Sequence, residues 1–89
     1  MPVVSAFYGL IIYLYYKDNM KHHKPHIHVW YQDNEVVLSV PEAEILEGFI
    51  PANKMKLVLA WMEIHKEELV ANWKLAVEGE KIFKIDPLR

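Results

Sequence analysis

Residues 25–40, "PHIHVWYQDNEVVLSV", decide the fold. Two runs rich in β-branched and aromatic residues, HIHVWY and EVVLSV, flank the turn-forming QDNE, which is the pattern of a β-hairpin. Asp33 and Asn34 tolerate the positive φ that a tight turn demands, so the turn is centred on them. That register sets Gln32 opposite Glu35, Tyr31 opposite Val36, Val29 opposite Leu38 and Ile27 opposite Val40. The last three pairs are apolar and form the buried face. Alternation then puts His26, His28, Trp30, Val37 and Ser39 on the opposite, wetter face. A one-residue slip would bury both histidines and Glu35, which argues against it.

Working outward from the hairpin, "LIIYLYY" at residues 10–16 reads as a strand apolar on both faces, with Tyr13 and Tyr15 on one of them. "VVSAF" before it adds a short strand, with Gly9 as a bulge or bend. "KDNMKHHKP" at residues 17–25 is a polar loop stopped by Pro25. Pro41 ends the second hairpin strand, and a short strand is expected around Ile45 and Leu46 before Gly48 interrupts it.

Pro51 opens a helix, a favoured first-turn position. Met55, Val58, Met62, Leu69, Trp73 and Ala76 recur at helical spacing, with His65 filling the step between Met62 and Leu69. Leu57, Trp61 and Ile64 widen the stripe, and Gly79 ends it. An unbroken helix of this extent would run about 40 Å, against about 20 Å for a six-residue strand. The helix therefore bends or breaks near His65, or overhangs the sheet. "KIFKIDPLR" at residues 81–89 closes the chain, with a short strand at Ile82 to Ile85. The expected architecture is α+β: an antiparallel three- to four-stranded sheet, hairpin or meander, followed by one long or bent C-terminal helix packed on one face. The whole chain, 1–89, reads as one domain, with strands over about 3–47, helix over about 52–78 and a tail at 79–89.

Composition narrows the function. The hydrophobic fraction of 53% supports a core, and a net charge of −2 supplies no global field for nucleic acid or acidic membrane. The absence of cysteine excludes disulfides and thiolate metal sites and favours a reducing, cytoplasmic setting. The N-terminal apolar run is about ten residues, too short to span a bilayer, and it lacks a basic leader. No membrane role is expected.

Four of the chain's five histidines fall between Lys21 and Tyr31, and they raise four chemistries. His26 and His28 share a strand face, and His22 reaches them from the loop, so the three are candidate ligands for zinc, nickel or copper. Asp18 and Glu35 are the nearest carboxylates. No resident cofactor is expected otherwise. For catalysis, His26 or His28 is the candidate base, Lys21 or Lys24 the cation that steadies a phosphate, and Tyr13 or Tyr15 the donor to a leaving oxygen. No catalytic triad or phosphate loop accompanies them, so enzymatic activity is not the leading expectation. For RNA or another nucleic acid, Lys17, Lys21 and Lys24 supply a few phosphate contacts beside the stacking surfaces of Tyr13, Tyr15 and Trp30. The reading that asks least is a protein partner, or a second copy of the chain, on the face that carries Tyr13, Tyr15, Trp30 and Val37. His65 lies on the helix stripe away from that face and is expected to be a partly buried, hydrogen-bonded residue at the bend.

The order of "MPVVSAFYGL", "PHIHVWY", "LEGFIP" and "WMEIHKEELVANWKLAVEGE…KIDPL" resembles a family of small bacterial proteins known as domain of unknown function 4160. The resemblance spans essentially the whole chain. It falls on Phe7, Tyr8 and Gly9, on Pro25, His26 and His28, on Gly48, and on Trp61, His65, Glu68, Leu69, Asn72 and Trp73, with His22 matching a loop histidine. The chain departs at Lys24, where a second proline is usual, and it adds His23. The resemblance supplies no activity. It implies a partner encoded nearby, in a toxin–antitoxin-like or regulatory pair.

Overall fold

A computed structural model describes residues 3–14 and 24–89. The described chain runs β1 (Val3–Phe7), β2 (Leu10–Tyr13), β3 (His26–Tyr31), β4 (Asn34–Ser39), β5 (Ile45–Gly48), α1 (Ala52–Ile64) and α2 (Lys66–Val77). The strands form one antiparallel meander in sequence order, β1-β2-β3-β4-β5. The α+β expectation holds, but the sheet has five strands where three or four were expected, and two helices stand where one was expected.

The extra strands come from tight local turns. Phe7 pairs with Leu10, so the first hairpin turns on Tyr8 and Gly9, whose φ values are 49° and 81°. Two successive positive φ values match the right-handed twist of the flanking strands. Gly9 is thus a turn residue, and the bulge or bend expected of it lies instead between Val3 and Ser5.

The central hairpin also turns one step earlier than expected. Tyr31 pairs with Asn34, Val29 with Val36 and Ile27 with Leu38, and the positive φ falls on Gln32. The offset from the expected pairing is two residues. Side chains alternate with a period of two, so every residue keeps its face.

Ile12, Leu14, Ile27, Val29, Val36 and Leu38 form the buried apolar layer of the sheet together with Leu10. Val58, Trp61, Met62 and Leu69 from the helices belong to the same core. The helix breaks at His65, where φ is −109° and ψ is 24°. The backbone ladder nevertheless continues across it, His65 N–H donating to Trp61 C=O and Leu69 N–H to His65 C=O. The break is a one-residue kink that keeps both helices on the sheet, which answers the length mismatch seen in the sequence.

No strand forms at Ile82–Ile85. The tail still returns to the sheet, where Ile85 is buried and its N–H donates to Val4 C=O at 2.8 Å. Beside that contact Ser5 Oγ is buried, with no hydrogen-bond partner among the described residues. Removing an unpaired buried hydroxyl relieves a desolvation penalty. Ser5→Ala should therefore leave the thermal midpoint unchanged or raise it by the equivalent of about 1 kcal/mol. A fall of more than a few degrees would count against this account.

Candidate functional site

The sheet face opposite the apolar layer holds the sequence-predicted site, and it divides into a closed and an open half. His26 and His28 were expected in water. They are instead 0% and 6% exposed, and Ser39 and Val37 beside them are also buried. This corrects the reading of a wet histidine face.

The geometry explains why the imidazoles tolerate burial. His26 Nδ1 donates to Lys24 C=O at 2.6 Å. His28 Nδ1 lies 2.9 Å from Glu35 Oε2. His28 pairs with Val37 and Trp30 with Glu35, so His28 and Glu35 are diagonal neighbours on adjacent strands, within reach of long side chains. Since a carbonyl and a carboxylate only accept, each ring carries a proton on Nδ1. The two rings stand 5.2 Å apart, edge to face.

Trp73 of α2 lies 5.1 Å from the His26 ring, so a helix residue meets a histidine that the alternation had placed on the far side. His26 opens β3, so the contact with Trp73 falls at the strand's end. His26, His28, Glu47 and Trp73 each make further interactions as well.

Of the other predicted residues, Tyr13 and Trp30 are half-buried and Lys24 is exposed. Lys24 Nζ is 3.2 Å from Glu44 Oε1. Both side chains are largely solvated, so that pair contributes little to stability. Tyr15, Lys17, Asp18, Lys21, His22 and His23 lie outside the described residues. Among the described residues no group of three His, Asp or Glu side chains is placed to hold a metal.

His65 matches its expectation as a half-buried histidine at the helix break. Its Nδ1 is hydrogen-bonded to Glu68 Oε1, and its ring lies 5.6 Å from that of Trp61. Trp61 is fully buried, and Trp73 packs at the core's margin.

The largest omission of the residue-by-residue reading is Asn72. Its buried side chain bonds both main-chain groups of Phe83, and Trp61 Nε1 donates to Asp86 C=O at 2.8 Å. The available signal was a polar residue three positions after Leu69, on an otherwise apolar stripe.

The open half of the face is a row across three strands. Ala6 pairs with Ile11, and Ile11 with Trp30. Ile11 is 38% exposed although it sits in β2, flanked on both sides by paired strands. No helix among the described residues is long and apolar enough to cross a membrane.

A family model described as "Domain of unknown function (DUF4160)" matches residues 9–74. No curated protein and no solved structure matches the chain.

Proposed function

Since the chain belongs to the domain of unknown function 4160 family, whose description carries no activity, we propose from the geometry that it is a protein-interaction module. In this reading it is one member of a two-gene toxin–antitoxin-like or regulatory pair in a bacterial cytoplasm. One observation carries the reading: the row of exposed Ala6 and Ile11 and half-buried Trp30, with half-buried Tyr13 beside it, on an interior part of the sheet. A β-branched aliphatic residue and a tryptophan, left partly in water on neighbouring strands, supply the apolar centre that protein interfaces favour. The partner is a different protein with an apolar patch of its own. The buried histidines lie beside the row on the same face, and they leave the binding to the exposed side chains.

The test is expression with and without the neighbouring gene, scoring growth and co-purification. Trp30→Ala and Ile11→Asp should each weaken association by roughly tenfold or more while the chain stays folded. Retention of the partner by both variants, or neither a partner nor a growth effect with the parent chain, would sink the proposal.

A second reading, a small histidine-dependent ribonuclease or a metal-binding toxin, draws on the Nδ1 protons of His26 and His28. Rings held at Nδ1 by an oxygen acceptor are the arrangement that metal-ligating and acid–base histidines use. Loss of RNA cleavage or of bound zinc in a folded His26→Ala, His28→Ala double variant would favour it.

A further inference from the structure

The tail is gripped through its main chain at residues 83–86 as well as by Ile85, which lies in the core, and by Ile82 and Leu88, which pack against it. Asn72 Nδ2 donates to Phe83 C=O at 2.8 Å, and Asn72 Oδ1 accepts from Phe83 N–H at 3.0 Å. Val4 C=O accepts from Ile85 N–H at 2.8 Å, and Trp61 Nε1 donates to Asp86 C=O at 2.8 Å. These contacts ask only that the residues at positions 83 and 85 keep their N–H groups, so any residue but proline satisfies them at either place. Among the side chains of residues 83–86 only Ile85 is committed to the core. Ile85 is 4% exposed, whereas Phe83 is 41% exposed and Lys84 and Asp86 are exposed too.

Asn72 is itself fully buried, with both halves of its amide aimed at one peptide unit. A buried amide that reads a main chain, a tryptophan N–H and a strand-edge carbonyl together make a template for an extended segment, as in strand-addition recognition. The gripping side chains, Trp61 and Asn72, fall within the residues matched by the family model, while the gripped segment falls outside them.

We propose that the groove bounded by β1, Trp61 and Asn72 is a binding site for an extended peptide segment of a protein partner, occupied in cis by residues 83–86. The segment it takes has an aliphatic anchor and a residue with a free N–H two positions before it. Gly79 N–H and Glu80 N–H still close α2 by donating to Ala76 C=O and Leu75 C=O, so the joint at which the tail swings out begins at the exposed Lys81.

A second copy of the chain is the poorer occupant. Its tail would offer the same contacts as the tethered one, which competes at an effective concentration of about millimolar. A partner segment gains where the tail leaves surface unused, at the exposed positions around Ile85. This site is separate from the Ile11–Trp30 row, and its test needs no neighbouring gene, so the two proposals fail independently.

The probe is a fluorescein-labelled peptide of residues 80–89, EKIFKIDPLR, titrated into full-length chains and read by anisotropy. Ile85→Asp and, separately, Phe83→Pro loosen the chain's own tail. The peptide should bind each variant roughly tenfold or more tighter than it binds the parent. Adding Asn72→Ala to either variant, or placing proline at the Phe83 position of the peptide, should abolish binding.

Equal binding to parent and variants, or no binding to any, overturns the proposal. So does loss of circular dichroism in both variants, because the tail is then part of the core and not a ligand. A parent chain that dimerises at the peptide's working concentration overturns the choice of partner in favour of a second copy.

Discussion

Gly48→Ala is expected to destabilise the chain by on the order of 3 kcal/mol. Two costs combine at this residue. Its φ is 77°, a conformation that costs an L-residue roughly 1–2 kcal/mol. A Cβ there would also overlap the carbonyl oxygen of Glu35 and stand 3.1 Å from its carbonyl carbon and 3.4 Å from Val36 Cα. Those atoms are backbone of β4 and cannot rotate aside, so β5 would have to leave the sheet edge. The Phe49 N–H bond to Glu35 C=O, at 3.0 Å, sits at the same place and would be lost with it.

Gly79 supplies the control. It has the same φ, 77°, and a Cβ there meets nothing within 4 Å, so Gly79→Ala carries the conformational cost alone. Thermal melts followed by circular dichroism should show the Gly48→Ala midpoint lower by on the order of 10–20 °C, and the Gly79→Ala midpoint by about half that or less. Equal shifts at the two glycines would mean that β5 yields at no cost and that the close approach is unimportant.

The parts of this fold that were legible in the sequence are those governed by parity and period. Ile27, Val29, Val36 and Leu38 fell on the core face even though the hairpin turn was placed one step late, because a two-residue error in pairing preserves the alternation. The conflict between helix length and strand length marked His65 as a place for a bend or break but left an unbroken, overhanging helix equally open, and no glycine or proline decided between them. The burial of His26 and His28 was not legible. Each is polar and alternates with core residues, so the pattern alone puts it in water. Their contacts are tertiary: Glu35 bonds His28 across the hairpin, and Trp73 reaches His26 from α2. The fifth strand and the tail's return were faint for a related reason. Ile45–Gly48 is short and carries a register irregularity opposite Val37 and Leu38, so no clean alternation survives. Ile82, Ile85 and Leu88 pack the tail onto the core, but its grip by Asn72 and Trp61 runs through main-chain atoms, which leave no mark on its residue types. The exposed Ile11 follows the same logic. Its sequence neighbours read as a strand covered on both faces, while the fold covers only the half of that face nearest the histidines.

Trp61→Ala should strip away a large share of the domain's stability. Trp61 is fully buried and the largest of the fully buried side chains, packed 5.5 Å from the Phe7 ring and 5.6 Å from that of His65. Truncating such a residue costs about 3–5 kcal/mol, a large share of the roughly 5–15 kcal/mol that holds a small domain together. The indole also serves a second element, because its N–H is the tail's link to α1 through Asp86 C=O. Trp61→Phe separates the two roles. It keeps an aromatic body in the core and removes the donor, while the exposed Asp86 can pair with water instead, so the cost should be about 1–2 kcal/mol. Urea melts will rank the variants, and amide exchange will locate the effect. In Trp61→Phe the Ile85 N–H should exchange faster while the N–H groups of β3 and β4 keep their protection, since the tail loosens without the sheet. If the β3 and β4 amides lose protection in step with Ile85, the tail and the sheet open as one unit, and the main-chain grip on residues 83–86 is inseparable from the core.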